Sequence, residues 1–182
     1  PGDTVLIFGG GTLGLLHAML ARIKGAGPII VAEPIKLRRE AALRLAADYA
    51  LNPLSDDFFR HIMDITNGAG ADVVIFATSD VGLDQGTLPV LAEGARVSVF
   101  SGTASHVSFQ IDPHLVHYRE LQISGTYGCS LRNNMEAISM LSKRQMPFRE
   151  LISCAVSLND IGKLMKSDQR DIIFKAVITK FD

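Results

Sequence analysis

The chain has 182 residues, 47% of them apolar and 20% charged, with a formal net charge of −1. Such a chain buries one good core, and its near-neutral balance supplies no broad basic field for nucleic acid or an anionic membrane. Two cysteines, Cys129 and Cys154, are too few for a disulfide framework, and no apolar stretch reaches the roughly 20 residues of a bilayer span. The reading is of a soluble cytoplasmic protein with a small-molecule partner.

Pro1-Gly2-Asp3 carries no initiator methionine and stands just before the first predicted strand, so the sequence reads as a piece of a longer polypeptide. The apolar run Thr4-Val5-Leu6-Ile7-Phe8 then passes straight into Gly9-Gly10-Gly11-Thr12-Leu13-Gly14, a G-x-G-x-x-G that opens a helical pattern. In that context Gly9 makes the tight turn, Gly11 lets backbone approach a pyrophosphate, and Gly14 lets helix and strand pack closely. Amide groups at Thr12 and Leu13, with the positive end of the helix dipole, suit phosphate oxygens without a basic side chain. Leu13, Leu16, Leu20 and Ile23 recur at helical spacing until Gly25-Ala26-Gly27.

A second strand over 28–32 ends on Glu33, nineteen residues beyond Gly14, where the adenosine ribose of a dinucleotide takes a carboxylate. The same glycine turn also serves other adenosine ligands such as S-adenosylmethionine; the spacing to Glu33 favours the dinucleotide. Glu33 further favours NAD over NADP, whose extra phosphate would meet a like charge, although Arg38 and Arg39 lie close enough to keep NADP open. Pro34 suits a first helical turn, and Leu37, Ala41 and Leu45 mark the stripe of the next helix. Tyr49-Ala50-Leu51 is a short third strand, and Ser55 caps a helix carrying Phe58, Phe59, Ile62 and Ile65. The unbroken apolar run 73–77 suits a parallel strand covered on both faces. A helix ending near Gly94 and a fifth strand over 96–100 follow.

Past Gly102 the rhythm changes. Val107, Phe109 and Ile111 alternate, a short helix precedes a sixth strand over 121–124, and helices over 134–143 and 158–166 lead to a β-rich end over 172–179. The predicted fold class is α/β, a doubly wound six-stranded parallel sheet with helices on both faces. Residues 1–128 form the dinucleotide-binding domain. Residues 129–182 lack strand–helix pairing and belong to another layer or complete another domain.

Taken together these segments resemble the cofactor-binding half of the zinc-type, medium-chain alcohol dehydrogenase superfamily, which includes sorbitol, threonine and other polyol dehydrogenases. The likeness rests on Pro1-Gly2-Asp3-Thr4-Val5 leading into Gly9–Gly14, on 47–53, on 70–74, on 93–97, and on Tyr118-Arg119-Glu120-Leu121-Gln122-Ile123-Ser124-Gly125-Thr126-Tyr127-Gly128. It implies that Gly9, Gly11, Thr12, Leu13 and Gly14 hold the pyrophosphate, that Glu33 accepts from the ribose hydroxyls, and that Arg38 flanks the adenosine. It places Ala77, Thr78 and Ser79 over the adenosine and ribose side, and Ser101, Gly102, Thr126 and Tyr127 where backbone groups bond the nicotinamide carboxamide. Ala46 and Ser79 depart from the glycine often found at those positions, and Gly82 and Gly86 weaken the helix predicted there.

The resemblance further implies a catalytic zinc, its ligands and a proton relay in an N-terminal domain that this sequence lacks, with hydride passing from a secondary alcohol to NAD. The chain alone is then inactive, and 129–182 rejoins that catalytic domain. Two other readings stay open: an NAD-sensing regulatory domain without catalysis, and a zinc-free NADPH-dependent quinone or enoyl reductase of the same superfamily. The 93–128 match argues against the first and Glu33 against the second. The resemblance also implies a homodimer through the sheet edge at Val107-Ser108-Phe109-Gln110-Ile111, an edge that would otherwise be an open template. His114 and His117 are spaced i, i+3 without a third ligand and read as surface histidines, His17 as a packed helix residue, and Cys129 as a thiol without a base partner.

Overall fold

The structure, a computed structural model, describes residues 1–79, 87–102, 111–166 and 174–180. They divide into two compact units, Pro1–Gly128 and Cys129–Asp182.

In the first unit, strands β1 (Val5–Phe8), β2 (Ile29–Ala32), β3 (Tyr49–Leu51), β4 (Ala71–Phe76), β5 (Leu91–Val99) and β6 (Gln122–Gly125) form one parallel sheet. Its order is β3-β2-β1-β4-β5-β6, the doubly wound arrangement whose ligand crevice lies where the order reverses, between β1 and β4. Helices α1 (Thr12–Ile23), α2 (Lys36–Leu45), α3 (Phe58–Ile65) and α4 (Pro113–Tyr118) complete it.

Every residue of β1 and β2 is buried, because a parallel strand is covered on both faces. Successive side chains point to opposite sides. Leu6, Phe8, Ile30, Ala32, Val74 and Phe76 share one core cluster with Phe58 and Ile62 of α3. There Phe8 stacks on Phe76 at 5.1 Å between centroids and meets Phe58 edge-on at 5.9 Å. Val5, Ile7, Ile29 and Val31 fill the other face, where α1 buries Leu15, Ala18 and Met19.

Charged side chains close the strand entrances. The Asp72 carboxylate accepts from the Thr4 amide at 2.7 Å, and Asp48 accepts from the Ile29 amide at 2.8 Å while pairing with Arg22 at 2.6 Å. Arg119 donates to the carbonyls of Leu88 (2.9 Å) and Leu91 and to Glu93 (3.1 Å), tying the end of α4 to the start of β5.

Several sequence expectations are corrected. The helix expected to end near Gly94 does not reach it: a short 3-10 turn over Leu88–Val90 is followed at once by β5. Gly94 has φ +70, a value that serves a helix C-terminus and an irregular strand equally; here it sits where the β4–β5 register shifts between Ala71 and Val73. Residues 80–86, with Gly82 and Gly86, lie outside the described residues. The N-cap of α3 is Asp57, not Ser55, whose carbonyl instead accepts from the Phe58 amide at 3.0 Å. The buried faces of α1 and α2 centre on Leu15–Met19 and on Ala41 and Ala42, leaving Leu13 and Leu37 exposed. In α1 the small residues Gly14 and Ala18 are buried beside Leu15 and Met19, and in α2 only Ala41 and Ala42 are buried.

The second unit holds α5 (Leu131–Ser142), α6 (Ile161–Met165) and a two-stranded parallel sheet of β7 (Ile152–Ser157) and β8 (Lys175–Lys180). Strand β7 has no counterpart among the sequence expectations, because its mixed run ISCAVS carries neither clean alternation nor a continuous apolar core. The edge segment expected to pair two copies, 107–110, lies outside the described residues, which resume at Ile111. Among the described residues no helix is long and apolar enough to cross a membrane.

Candidate functional site

The loop that leaves β1 is shaped by three glycines with different reasons to be there. Gly9 adopts φ +102, and a Cβ on it would stand 3.1 Å from the Ala77 carbonyl oxygen. Gly14 allows the closest crossing: a Cβ there would sit 1.8 Å from the Gly9 carbonyl oxygen, so any larger residue forces helix and strand apart. Gly11 is different. It is the N-cap of α1, makes no side-chain cap, and has nothing within 4 Å of where its Cβ would be. Open space thus faces the amide end of the helix, with Thr12 and Leu13 in its first turn, and an anion there is favoured by the dipole.

Glu33 follows β2 and is only 3% exposed. Its carboxylate accepts from the Gly10 amide at 2.7 Å and from the Ile35 amide at 2.9 Å. It therefore ties the glycine loop to the start of α2, and the carboxylate's remaining lone pairs are available to a ligand. A Cβ on Gly10 would lie 2.9 Å from the Glu33 Cγ, so the second residue of the motif is small for the sake of the carboxylate. Arg39 donates to the carbonyls of Glu33 (2.8 Å) and Pro34 (2.7 Å).

A pocket of about 500 Å³ opens beyond the carboxyl ends of the central strands. Gly9, Glu33, Arg38 and Thr78 line its polar side, and Pro53, Leu54, Phe58 and Phe59 its apolar side. Of the expected site residues, these first four share one cavity, with Gly11, Thr12, Leu13 and Gly14 in the adjoining loop and helix. Ala77 continues the β1–β4 ladder through its amide to the Phe8 carbonyl (2.9 Å), and Ser79 is exposed just beyond. Ser101 and Gly102 stand after β5, the Ser101 amide donating to the Phe76 carbonyl at 3.0 Å. Thr126 and Tyr127 stand exposed after β6. All four lie at the same end of the sheet but outside this pocket.

The apolar wall escaped the sequence reading. Its signal was present: Phe58 and Phe59 are consecutive on a helix, so they cannot both face one core, and the outward ring, Phe59, is 38% exposed at the pocket. Leu54 is presented by a turn in which Asn52 Oδ1 accepts from the Leu54 amide at 3.1 Å.

The remaining ionisable residues stand elsewhere. His17 packs edge-on against Phe100 with ring centroids 4.4 Å apart, and burial lowers its pKa from the ordinary value. His114 and His117 are exposed on α4, both packing on Tyr118. Cys129 is exposed and Cys154 half-buried. Among the described residues no group of three or more His, Cys, Asp or Glu is arranged to hold a metal ion.

Comparison with known proteins places this geometry. Residues 12–143 match the model of a family described as zinc-binding dehydrogenase. The L-threonine 3-dehydrogenase of Pyrococcus abyssi (strain GE5 / Orsay) is 38% identical over 141 residues, covering 77% of this chain and 40% of that protein. The scyllo-inosose 3-dehydrogenase of Thermotoga maritima is 30% identical over 177 residues, covering 94% of this chain and 44% of its own length. The chain thus spans less than half the length of these curated relatives. Among solved structures, the alcohol dehydrogenase from Thermus sp. ATN1 superposes with a TM-score of 0.85 over 99% of this chain and 52% of that one, at 23% identity, a likeness of fold.

Proposed function

The chain belongs to the zinc-binding dehydrogenase family, as part of its cofactor-binding portion, and from that premise we propose that it holds NAD across the carboxyl ends of β1, β2 and β4–β6. The observation that carries this reading is the Glu33 carboxylate, buried against the glycine loop and lining the pocket. In this reading the amide end of α1 seats the diphosphate at Gly9–Gly14, and Glu33 accepts from the adenosine ribose hydroxyls. Leu54, Phe59 and Arg38 enclose the adenine. Backbone groups at Ser101, Gly102, Thr126 and Tyr127 orient the carboxamide end, with Ala77, Thr78 and Ser79 closing the middle.

The bound nicotinamide would supply the chemistry, accepting a hydride from the carbon of an alcohol. This chain's residues contribute position: strand ends on a rigid sheet fix the cofactor so that the reacting partners meet in one orientation. The names of the relatives, 3-dehydrogenases of threonine and of an inosose, favour a secondary alcohol as substrate. Among the described residues no group is arranged to hold zinc; in this reading the metal chemistry of the family belongs to the remainder of the polypeptide, and the chain binds cofactor without turnover. The parallel pair β7–β8, too small to stand alone, fits a segment that adds to the sheet of a catalytic domain.

Preference for NAD over NADP rests on two side chains. A 2′-phosphate would meet the Glu33 carboxylate as a like charge; of the two neighbouring cations, Arg39 is engaged by two carbonyls, while Arg38 lines the pocket with Glu33. Titration calorimetry of the chain with NADH and NADPH tests this. NADH should bind about tenfold or more tightly, and Gly11→Val should abolish binding while the circular-dichroism spectrum stays native. Equal or reversed affinity removes the argument from Glu33, and binding retained in Gly11→Val removes the diphosphate cradle.

A further inference from the structure

Beyond the end of α5 lies a feature that cofactor binding does not use. The helix closes at Ser142, and Arg144 follows in the left-handed conformation with φ +50, a position at helix ends filled mostly by glycine or asparagine. Asn67 and Glu120 take the same conformation just past α3 and α4, so Arg144 ends its helix as they do. The chain then turns through Met146 and Pro147 into a 3-10 turn over Phe148–Leu151, which brings Arg149 back beside it. Arg144 and Arg149, with Leu141, Met146, Pro147 and Phe148, line one pocket of about 470 Å³.

These two arginines differ from the others described above. Arg22, Arg39, Arg96 and Arg119 are each held by carboxylates or backbone carbonyls. Among the described residues the guanidinium groups of Arg144 and Arg149 have no hydrogen-bond or ion-pair partner, and both remain exposed. Two fork-shaped donors at one mouth match the oxygens of a phosphate or carboxylate, which arginine binds in bidentate fashion. The groove is open to solvent, with more room than a bare phosphate requires. Met146 and Phe148, both half-buried, with Leu141 exposed at the rim, offer an apolar surface beside the arginines.

We propose that this pocket of the second unit is a binding site for a small organic oxyanion, a phosphate or carboxylate head on an apolar body, separate from the dinucleotide site. The head lies between Arg144 and Arg149 and the body against Met146 and Phe148.

Heteronuclear NMR of the labelled 182-residue chain, titrated with phenyl phosphate, tests it. Saturable shifts are expected at the amides of 141–149 and at the side-chain Nε–H groups of both arginines, with inorganic phosphate and benzyl alcohol each binding more weakly. Arg149→Gln should weaken phenyl phosphate about tenfold. Arg144→Gly should do the same while raising the melting temperature, because glycine relieves the left-handed backbone; loss of binding then cannot be ascribed to unfolding. Absence of saturable shifts at these residues, or affinity unchanged in both variants, overturns the site. Shifts confined to Gly9–Gly14 also overturn it, and would support the diphosphate cradle instead.

Discussion

The two units use the same parallel strand pairing with opposite degrees of burial. In the first, β1 and β2 are buried throughout and α1 buries four residues. In the second, no residue of β7 or β8 is fully buried, α5 buries none, and Leu131, Met135 and Ile138 stand exposed along it. Parallel sheets occur with both faces covered, and two strands fall short of independent stability. The difference teaches that the first unit carries its own core, whereas the second, taken by itself, does not.

Separating the units gives the largest effect. Residues 1–128 should unfold in one cooperative denaturant transition with native-like near-ultraviolet dichroism. Residues 129–182 alone should show narrow amide proton dispersion and no transition. A dispersed spectrum from the second piece would end the comparison as drawn.

Point substitutions sharpen it on a smaller scale. Phe58 is buried between Phe8 and Phe59, and truncating a buried phenylalanine to alanine costs about 3–5 kcal/mol. Met135, 61% exposed on α5, should change stability by no more than about 0.5 kcal/mol when replaced by alanine. Urea melts of the two variants of the chain measure both, and a cost at Met135 rivalling that at Phe58 would mean that α5 is covered in solution.

What the sequence made legible divides along the same line. In the first unit, continuous apolar strands and the glycine motif each carry one dominant signal, so β1, β2, β4 and the positions of Gly9, Gly14 and Glu33 could be read directly. The buried faces of α1 and α2 were partly legible: Ala41 was read and is buried, but Leu13 and Leu37 are exposed, and Gly14, Leu15, Ala18, Met19 and Ala42 take the remaining buried positions. The turn at Gly94 was misread because one backbone conformation serves two purposes. At the site, Glu33 was legible by spacing, but its bonds to the Gly10 and Ile35 amides depend on the third dimension. So does the assembly of Leu54 and Phe59, from separate elements, beside Arg38. Strand β7 has no such signal, since its side chains are fixed by no core within the unit.

The smallest effect concerns charge. In the second unit Asp160 and Lys163 pair at 2.8 Å; the hydrogen bond from Lys163, with a second from Ser157, lowers the Asp160 pKa, and Asp160 raises that of Lys163. Both groups are fully exposed, so salt screens the pair and its removal should be nearly silent. His17 in the first unit behaves otherwise. Its imidazole packs on Phe100 in a cavity shared with Asp3, Lys24 and Arg96, and desolvation lowers its pKa below the ordinary 6.5. Below that value the unfolded chain binds the proton more readily than the folded one, so stability is fully present above 6.5 and falls as pH drops through it toward the lowered folded value. Urea melts between about pH 7.5 and 5 should show this slope persisting in high salt, because burial rather than a surface charge causes it. His17→Gln should flatten it. A slope that disappears with salt, or that survives the substitution, would assign it to surface pairs and leave the two units alike in their electrostatics.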